Sequence, residues 1–333
     1  MTATTIAFFN NKGGVGKTSL VYHLSWMYAD LGARVVAADL DPQANLTAAF
    51  VDEDDLELLW ESEEEPGTVF EAIKPLLRGI GDVATPRLRP VSDKLALLVG
   101  DLSLSAFEDE LSDQWWKCLG GEERSFRVMS AFWRIMQGAA VRFDAEIVVI
   151  DLGPNLGAIN RAALISADYI VVPLSPDLFS LQGLRNLGPV LKRWREGWVE
   201  RLGKNPVSDL DLPPGGMQPI GYIVQQHSVR LDRPVRAYDK WMSRIPRSYS
   251  EYVIGKKVAD SVNIENDQSC LALVKHYRSL MAMAQEARKP IFYLKSADGA
   301  IGGHSKAVLD AYSDFEKLAK EIAKRASVTV ALA

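Results

Sequence analysis

Between an apolar run, TIAFFN at residues 5–10, and a helical pattern, TSLVYHLSWMYADLG at 18–32, the chain carries the string NKGGVGKTS. No other stretch limits the possible folds as tightly. β-Branched and aromatic residues make the first segment a buried strand, while apolar residues at helical spacing and a stop at Gly32 make the second a helix. Strand, glycine loop and helix in that order form a cradle for phosphate. Gly13 and Gly14 let the backbone turn sharply and approach phosphate oxygens with no Cβ in the way. Successive amides through Val15 and Gly16, and the positive end of the helix dipole, supply the donors. The spacing puts Lys17 on the β- and γ-phosphates of a nucleotide, the Thr18 hydroxyl on Mg²⁺ and Ser19 on the α-phosphate. The string departs from the general G-x-x-x-x-G-K-[ST] pattern: the leading glycine is missing, and a second lysine, Lys12, stands beside Gly13.

Further apolar runs at 33–41, 95–102, 146–152, 168–175, 219–226 and 290–294 are separated by longer helical patterns. Most are apolar throughout rather than alternating, which marks parallel strands covered on both faces. The expected fold class is α/β, a single doubly wound, mostly parallel β-sheet with helices on both faces. Residues 1–333 read as one domain, with an insertion-like region at about 50–145 and a basic helical region at about 228–285. The acidic stretch 52–67 and the segments 201–219 and 296–305 read as irregular. Two cysteines, Cys118 and Cys270, without CxxC spacing argue against a disulfide framework, a structural zinc and an iron–sulfur cluster. No basic leader precedes an apolar region, and no apolar run approaches the roughly 18 residues of a membrane span, so the expected location is the cytoplasm. A formal net charge of −5 excludes a uniformly basic nucleic-acid binder but leaves room for a local patch.

KGGVGKTS resembles the deviant Walker A motif, KGGxGK[ST], of the ParA/MinD family of P-loop ATPases, whose signature is the extra lysine. DLDPQAN at 39–45 resembles the family's first switch, DxDPQxN, and IVVIDLGPNLG at 147–157 resembles its second, usually DTPPxxG. The stretch 162–184, KPIFYL at 289–294 and AYSDFEKLAKEI at 311–322 are also similar to ParA sequences. The resemblance implies a P-loop ATPase that uses ATP and Mg²⁺. Asp39 and Asp41 end an apolar strand, where ligands bind in an open α/β sheet. On the resemblance, Asp41 positions or activates the attacking water and Asp39 supports Mg²⁺. Asp151 has the place of a Walker B aspartate that holds Mg²⁺ through water. Pro42 in the first switch, and Gly153, Pro154 and Gly157 in the second, suit loops that rearrange when a γ-phosphate is present. The family's threonine and proline after the second-switch aspartate are replaced by Leu152 and Gly153. For the base, the resemblance points to Gln225, where the family commonly has asparagine, and to Pro290.

In the family the signature lysine reaches across a face-to-face dimer into the partner's site, acting in trans as an arginine finger does. That implies a catalytic set of Lys12, Lys17 and Asp41 and a homodimer when ATP is bound. The bland alternatives are a solvated loop lysine or one that holds its own chain's phosphates. From 230 to 257, eight basic residues face three acidic ones, with Tyr238, Trp241, Tyr249 and Tyr252 among them. Arg230, Arg233, Arg236, Lys240, Arg244 and Arg247 are the candidates for nonspecific contact with DNA phosphates, as in ATP-bound ParA proteins. The same residues would equally suit the solvated face of a helix whose Val235, Tyr238, Trp241 and Met242 pack inward. The last residues, KEIAKRASVTVALA, do not resemble the basic amphipathic helix that ends MinD-like members, so no membrane partner is expected. With the chain starting at the first strand, operator-specific autorepression through an N-terminal helix-turn-helix is not expected. The expected activity is slow ATP hydrolysis stimulated by a separate partner protein, serving partition or positioning of a cargo. Two alternatives remain, a nucleotide switch within a protein assembly without DNA, and a metabolic ATP-dependent ligase on the same scaffold.

Overall fold

The computed structural model describes the backbone of residues 2–61, 67–226, 235–257, 262–275, 277 and 279–329, and the side chains of these apart from 59–61, 226 and 235–238. Eight strands form one sheet: β1 (Thr4–Phe8), β2 (Val35–Asp39), β3 (Arg89–Ser92), β4 (Leu95–Leu98), β5 (Ile147–Asp151), β6 (Tyr169–Leu174), β7 (Gln218–Gln226) and β8 (Cys270–Lys275). They lie in the order β3-β4-β2-β5-β1-β6-β7-β8, all neighbours parallel except the β3–β4 pair at one edge. β1 sits between β5 and β6, so the loop that leaves its carboxyl end enters the crevice where chain winding reverses, the usual ligand position in such sheets. Register places Asp151 opposite both Phe8 and Asp39, which gathers the ends of β1, β2 and β5 at one point.

The helices used below are α1 (Lys17–Asp30), α2 (Asn45–Phe50), α3 (Glu53–Glu61), α4 (Val69–Leu77), α5 (Glu108–Lys117), α6 (Glu123–Met129), α7 (Ala131–Phe143), α8 (Ala158–Ile165), α9 (Leu178–Leu202), α10 (Val235–Met242), α11 (Ile245–Ser248), α12 (Ser279–Ala287) and α13 (Gly303–Arg325). Side chains of successive strand residues point to opposite faces. Along β5, Val148 and Ile150 therefore join a core with Phe132, Leu164, Leu187 and Trp198, while Ile147 and Val149 join another with Leu24, Tyr28, Phe315 and Ile322. Both faces are apolar because both are covered, as the unbroken apolar strands require. Close packing of α9 brings Gly188 against a π-helical turn at Tyr249–Ile254; a Cβ at 188 would lie 1.7 Å from the Tyr252 carbonyl oxygen.

Two local expectations change. Residues 290–294 are not a strand but a 3₁₀ turn, Ile291–Tyr293, because Pro290 brings no N–H to a ladder and the Ile291 amide donates to His23 Nε2 at 3.2 Å. The run is apolar because Ile291 and Phe292 are buried against α1 and α13, and the sheet edge belongs to β8 instead. Within the acidic stretch, residues 53–61 are helical: three acidic residues in the first turn of α3 favour its dipole, and Leu56 is buried. Residues 50–145 contribute α3 to α7 together with β3 and β4. No helix among the described residues is long and apolar enough to cross a membrane.

Candidate nucleotide site

The loop from Asn10 to Gly16 follows β1 directly. Gly14 and Gly16 take φ of 71° and 73°, a left-handed backbone that L side chains rarely adopt. Gly16 caps α1 without a side chain, so the first amides of that helix are left for an anion. Gln225 completes the wall: its Nε2 donates to the Gly16 carbonyl at 3.3 Å, and a Cβ at 16 would lie 2.1 Å from that nitrogen. Gln225 thus stands at the phosphate end of the site. Lys17 is buried, with Nζ 3.5 Å from the Lys12 carbonyl. Burial lowers its ammonium pKa, opposed by the charges of Asp151 and Asp41.

The two switches meet beside this loop. Asp39 Oδ2 accepts bonds from the Thr47 amide and hydroxyl, both at 2.8 Å, and the Thr47 hydroxyl in turn accepts from the Gly100 amide at 2.8 Å. Sequence reasoning missed Thr47, although it lies only two residues past the DPQAN string. Asp41 Oδ1 accepts from the Gln43 amide at 3.0 Å. A Cβ at Gly153 would press to 3.0 Å on that same Asp41 oxygen, so a glycine in the second switch lets the first come close. Leu152 is fully buried in the core, so an apolar contact takes the place of the threonine's polar one. On the other side, a Cβ at Gly13 would come within 3.8 Å of the Pro154 ring.

Asp151 is fully buried, and neither carboxylate oxygen has a full hydrogen bond. Burial and the charge of Asp39 push its pKa well up, while the nearby Thr18 hydroxyl and Lys17 pull the other way. Burial also raises Asp39, against the opposing bonds from Thr47. An orphaned carboxylate beside a P-loop threonine fits a divalent cation. Among the described residues no cluster of three His, Cys, Asp or Glu side chains suits a metal by itself.

Lys12 pairs with Asp177 of its own chain, and Asp177 caps α9 by accepting from the Ser180 amide at 2.8 Å. Lys12 is thus tied to its own chain and only partly exposed. Asp177 was also missed, though D-L-F-S before a helical run is an N-cap pattern. Pro290 opens the 291–293 turn, next to a cavity of 620 Å³ lined by Thr18, Ser19, Tyr22, His23, Gln285 and Lys289. Of the basic candidates, Arg230 and Arg233 lie outside the described residues, and Arg236 is described in backbone only. Lys240, Arg244 and Arg247 are exposed, the first two over Trp241 at 5.0 and 5.4 Å from its ring centre. Met242, Ile245 and Tyr249 are buried beneath them. Arg244 and Arg247, with Arg185, Trp241 and Tyr252, line a cavity of 480 Å³ at the start of α9.

The AAA domain family model matches residues 3–202, more than half of the chain. This chain belongs to the ParA/MinD family of P-loop ATPases. Among curated relatives it is 30% identical to the cell division protein PomZ of Myxococcus xanthus over 54% of this chain and 49% of that one. It is 28% identical to the chromosome partitioning protein ParA of Caulobacter vibrioides over 59% of this chain and 65% of that one. It is also 28% identical to the sporulation initiation inhibitor protein Soj of Bacillus subtilis, over 55% and 62%. The matches thus span about half to two thirds of these relatives' length. A solved Corynebacterium diphtheriae protein aligns over 97% of this chain and 98% of its own with TM-score 0.70 and 23% identity. A Cyanothece McdA(D38A)–ATP complex aligns over 98% and 97% with TM-score 0.60 and 16% identity. These likenesses bear on the fold, which is that of a ParA-type P-loop NTPase.

Proposed function

We propose that the chain, as one ATPase unit over residues 1–333, is a ParA-like, Mg²⁺-dependent ATPase whose ATP-bound dimer binds DNA nonspecifically and is released by partner-stimulated hydrolysis. The observation that carries this reading is the orphaned Asp151 carboxylate beside Thr18 and Lys17, with Lys12 at the mouth of the same loop. Thr18 and Asp151, backed by Asp39, would hold Mg²⁺, which neutralises phosphate charge when bound. Backbone amides from Gly13 to Ser19 and the Lys17 ammonium orient the phosphates, and Asp41 orients the attacking water. Gln225 closes the phosphate end, and Pro290 borders the cavity that has room for ribose and base. Lys12 leaves Asp177 and reaches the partner subunit's phosphates, which ties nucleotide to assembly.

DNA affinity measured with ATP, ADP and no nucleotide across a salt series tests this reading. Tight binding with ATP alone, steeply weakened by salt, is expected; affinity that ignores nucleotide, or is absent at low salt, refutes it. One observation favours the second reading, a nucleotide switch within a protein assembly: Arg244 and Arg247 line a cavity rather than a convex face. Arg244→Glu with Arg247→Glu separates the two: on the first reading wild type binds DNA with ATP and the double variant loses that binding, whereas on the second wild type itself binds no DNA.

A further inference from the structure

Helix α8 carries the second switch into the core, and its own N-cap residue, Gly157, offers its first amides no acceptor. The acceptor comes from a distant segment. Glu108, the first residue of α5, bonds through Oε2 to the Ile159 amide at 2.9 Å and through Oε1 to the Ala158 amide. Contact is close enough that a Cβ at Gly157 would lie 2.6 Å from Glu108 Oε1. A carboxylate on helical N-terminal amides is a charge-assisted bond reinforced by the helix dipole.

Two further ties bind the same helices. Arg161 of α8 donates to the Leu111 carbonyl at 3.2 Å, and its guanidinium lies 4.6 Å from the Trp115 ring centre. Arg201 of α9 approaches that ring to 3.7 Å. On the side of the nucleotide, Asn160 donates to the Gly153 carbonyl at 2.9 Å and the Asn155 carbonyl at 2.7 Å, and Asn155 accepts from the Gly157 amide at 2.9 Å. A continuous chain of contacts therefore runs from Asp41, through Gly153 and Asn160, to the first turn of α8 and Glu108. A Cβ at Gly153 would lie 3.0 Å from Asp41 Oδ1, so the first turn of α8 and the first switch sit on one line of close approaches.

We propose that Glu108 is a positioning residue for the second switch: its carboxylate fixes the α8 end of the 153–157 loop in the register that sets Gly153 against Asp41. The part that concerns hydrolysis rests on the ATPase reading above; the part that concerns loop position does not. It also gives α5 a task that the switch motifs themselves do not reveal.

Full-length wild type, Glu108→Ala and Glu108→Gln are compared in two measurements. Without nucleotide, amide hydrogen exchange over 157–160 should speed up roughly tenfold or more in Glu108→Ala, the scale of losing a charged cap. With saturating Mg-ATP, kcat should fall roughly tenfold in Glu108→Ala while KM moves less than about threefold, because an orienting contact and not a binding contact is lost. Glu108→Gln keeps one carbonyl acceptor and should recover part of both. Exchange and kcat equal to wild type overturn the proposal. So does faster exchange with a lower melting temperature but unchanged kcat, which is the behaviour of a plain helix cap. Wild type without measurable hydrolysis would instead refute the ATPase reading, and the nucleotide-free exchange would still decide whether Glu108 holds the loop.

Discussion

Thr47→Val exchanges one hydroxyl for a methyl of nearly equal volume at a position with no exposure, so the change is polar and leaves packing almost untouched. Two bonds are lost: the donation to Asp39 Oδ2 and the acceptance from the Gly100 amide, each at 2.8 Å. The Gly100 amide is left buried without a partner, at about 1–3 kcal/mol. Loss of a bond to a charged acceptor adds about 1.5–3 kcal/mol, so the sum is about 3–5 kcal/mol after allowing for relaxation. A Cβ at Gly100 would already lie 2.8 Å from the Asp39 carboxylate, so there is little room beside it for a rescuing water. Urea unfolding of wild type, Thr47→Val and Thr47→Ser measures this directly, with the serine variant expected within about 1.5 kcal/mol of wild type because it keeps both bonds. If valine costs under about 0.5 kcal/mol at unchanged m-value, Asp39 and Gly100 do not depend on Thr47, and the bridging role assigned to its hydroxyl in the first switch is wrong.

Lys12→Ala should change stability by no more than about 1 kcal/mol, since its ion pair is partly exposed, yet abolish ATP-dependent dimers in analytical ultracentrifugation. His23 is buried between Ser19 O at 2.7 Å and the Ile291 amide at 3.2 Å, which fixes the proton on Nδ1, and burial lowers its pKa to about 4. The unfolded chain then binds more protons between about pH 6.5 and 4, so this stability is full above about 6.5 and is lost as pH falls through that window. It amounts to roughly 3 kcal/mol, and His23→Gln should flatten that part of the urea-midpoint profile. Gly188→Ala forces backbone apart at the Tyr252 carbonyl and should cost about 3 kcal/mol, with faster proteolytic cleavage near 249–254 than elsewhere.

The phosphate loop was legible because its chemistry is local: glycines, a lysine and a hydroxyl act at fixed spacing within a few residues. So was the parallel sheet, since strands buried on both faces leave unbroken apolar runs. What escaped depends on partners far along the chain. Asp177 meets Lys12 across 165 residues and Glu108 meets Ile159 across 51, and no motif encodes either distance. KPIFYL was misread because a buried turn and a buried strand are equally apolar, whereas β8 is itself a short apolar run, CLALV, only half-buried at the sheet edge, and was passed over. Thr47 looked like any helical threonine until Asp39 was seen beside it.

Asp177 serves two demands with one carboxylate, holding Lys12 and capping α9. An asparagine there could still accept from the Ser180 amide but would give up the charge. The two demands are therefore separable by a single atom, and their separation would reveal a threshold: a chain whose Lys12 has nothing to leave behind should assemble at lower ATP than the natural protein, with the same final dimer. On the proposed reading, the pair would govern when the molecule commits, and not what it becomes.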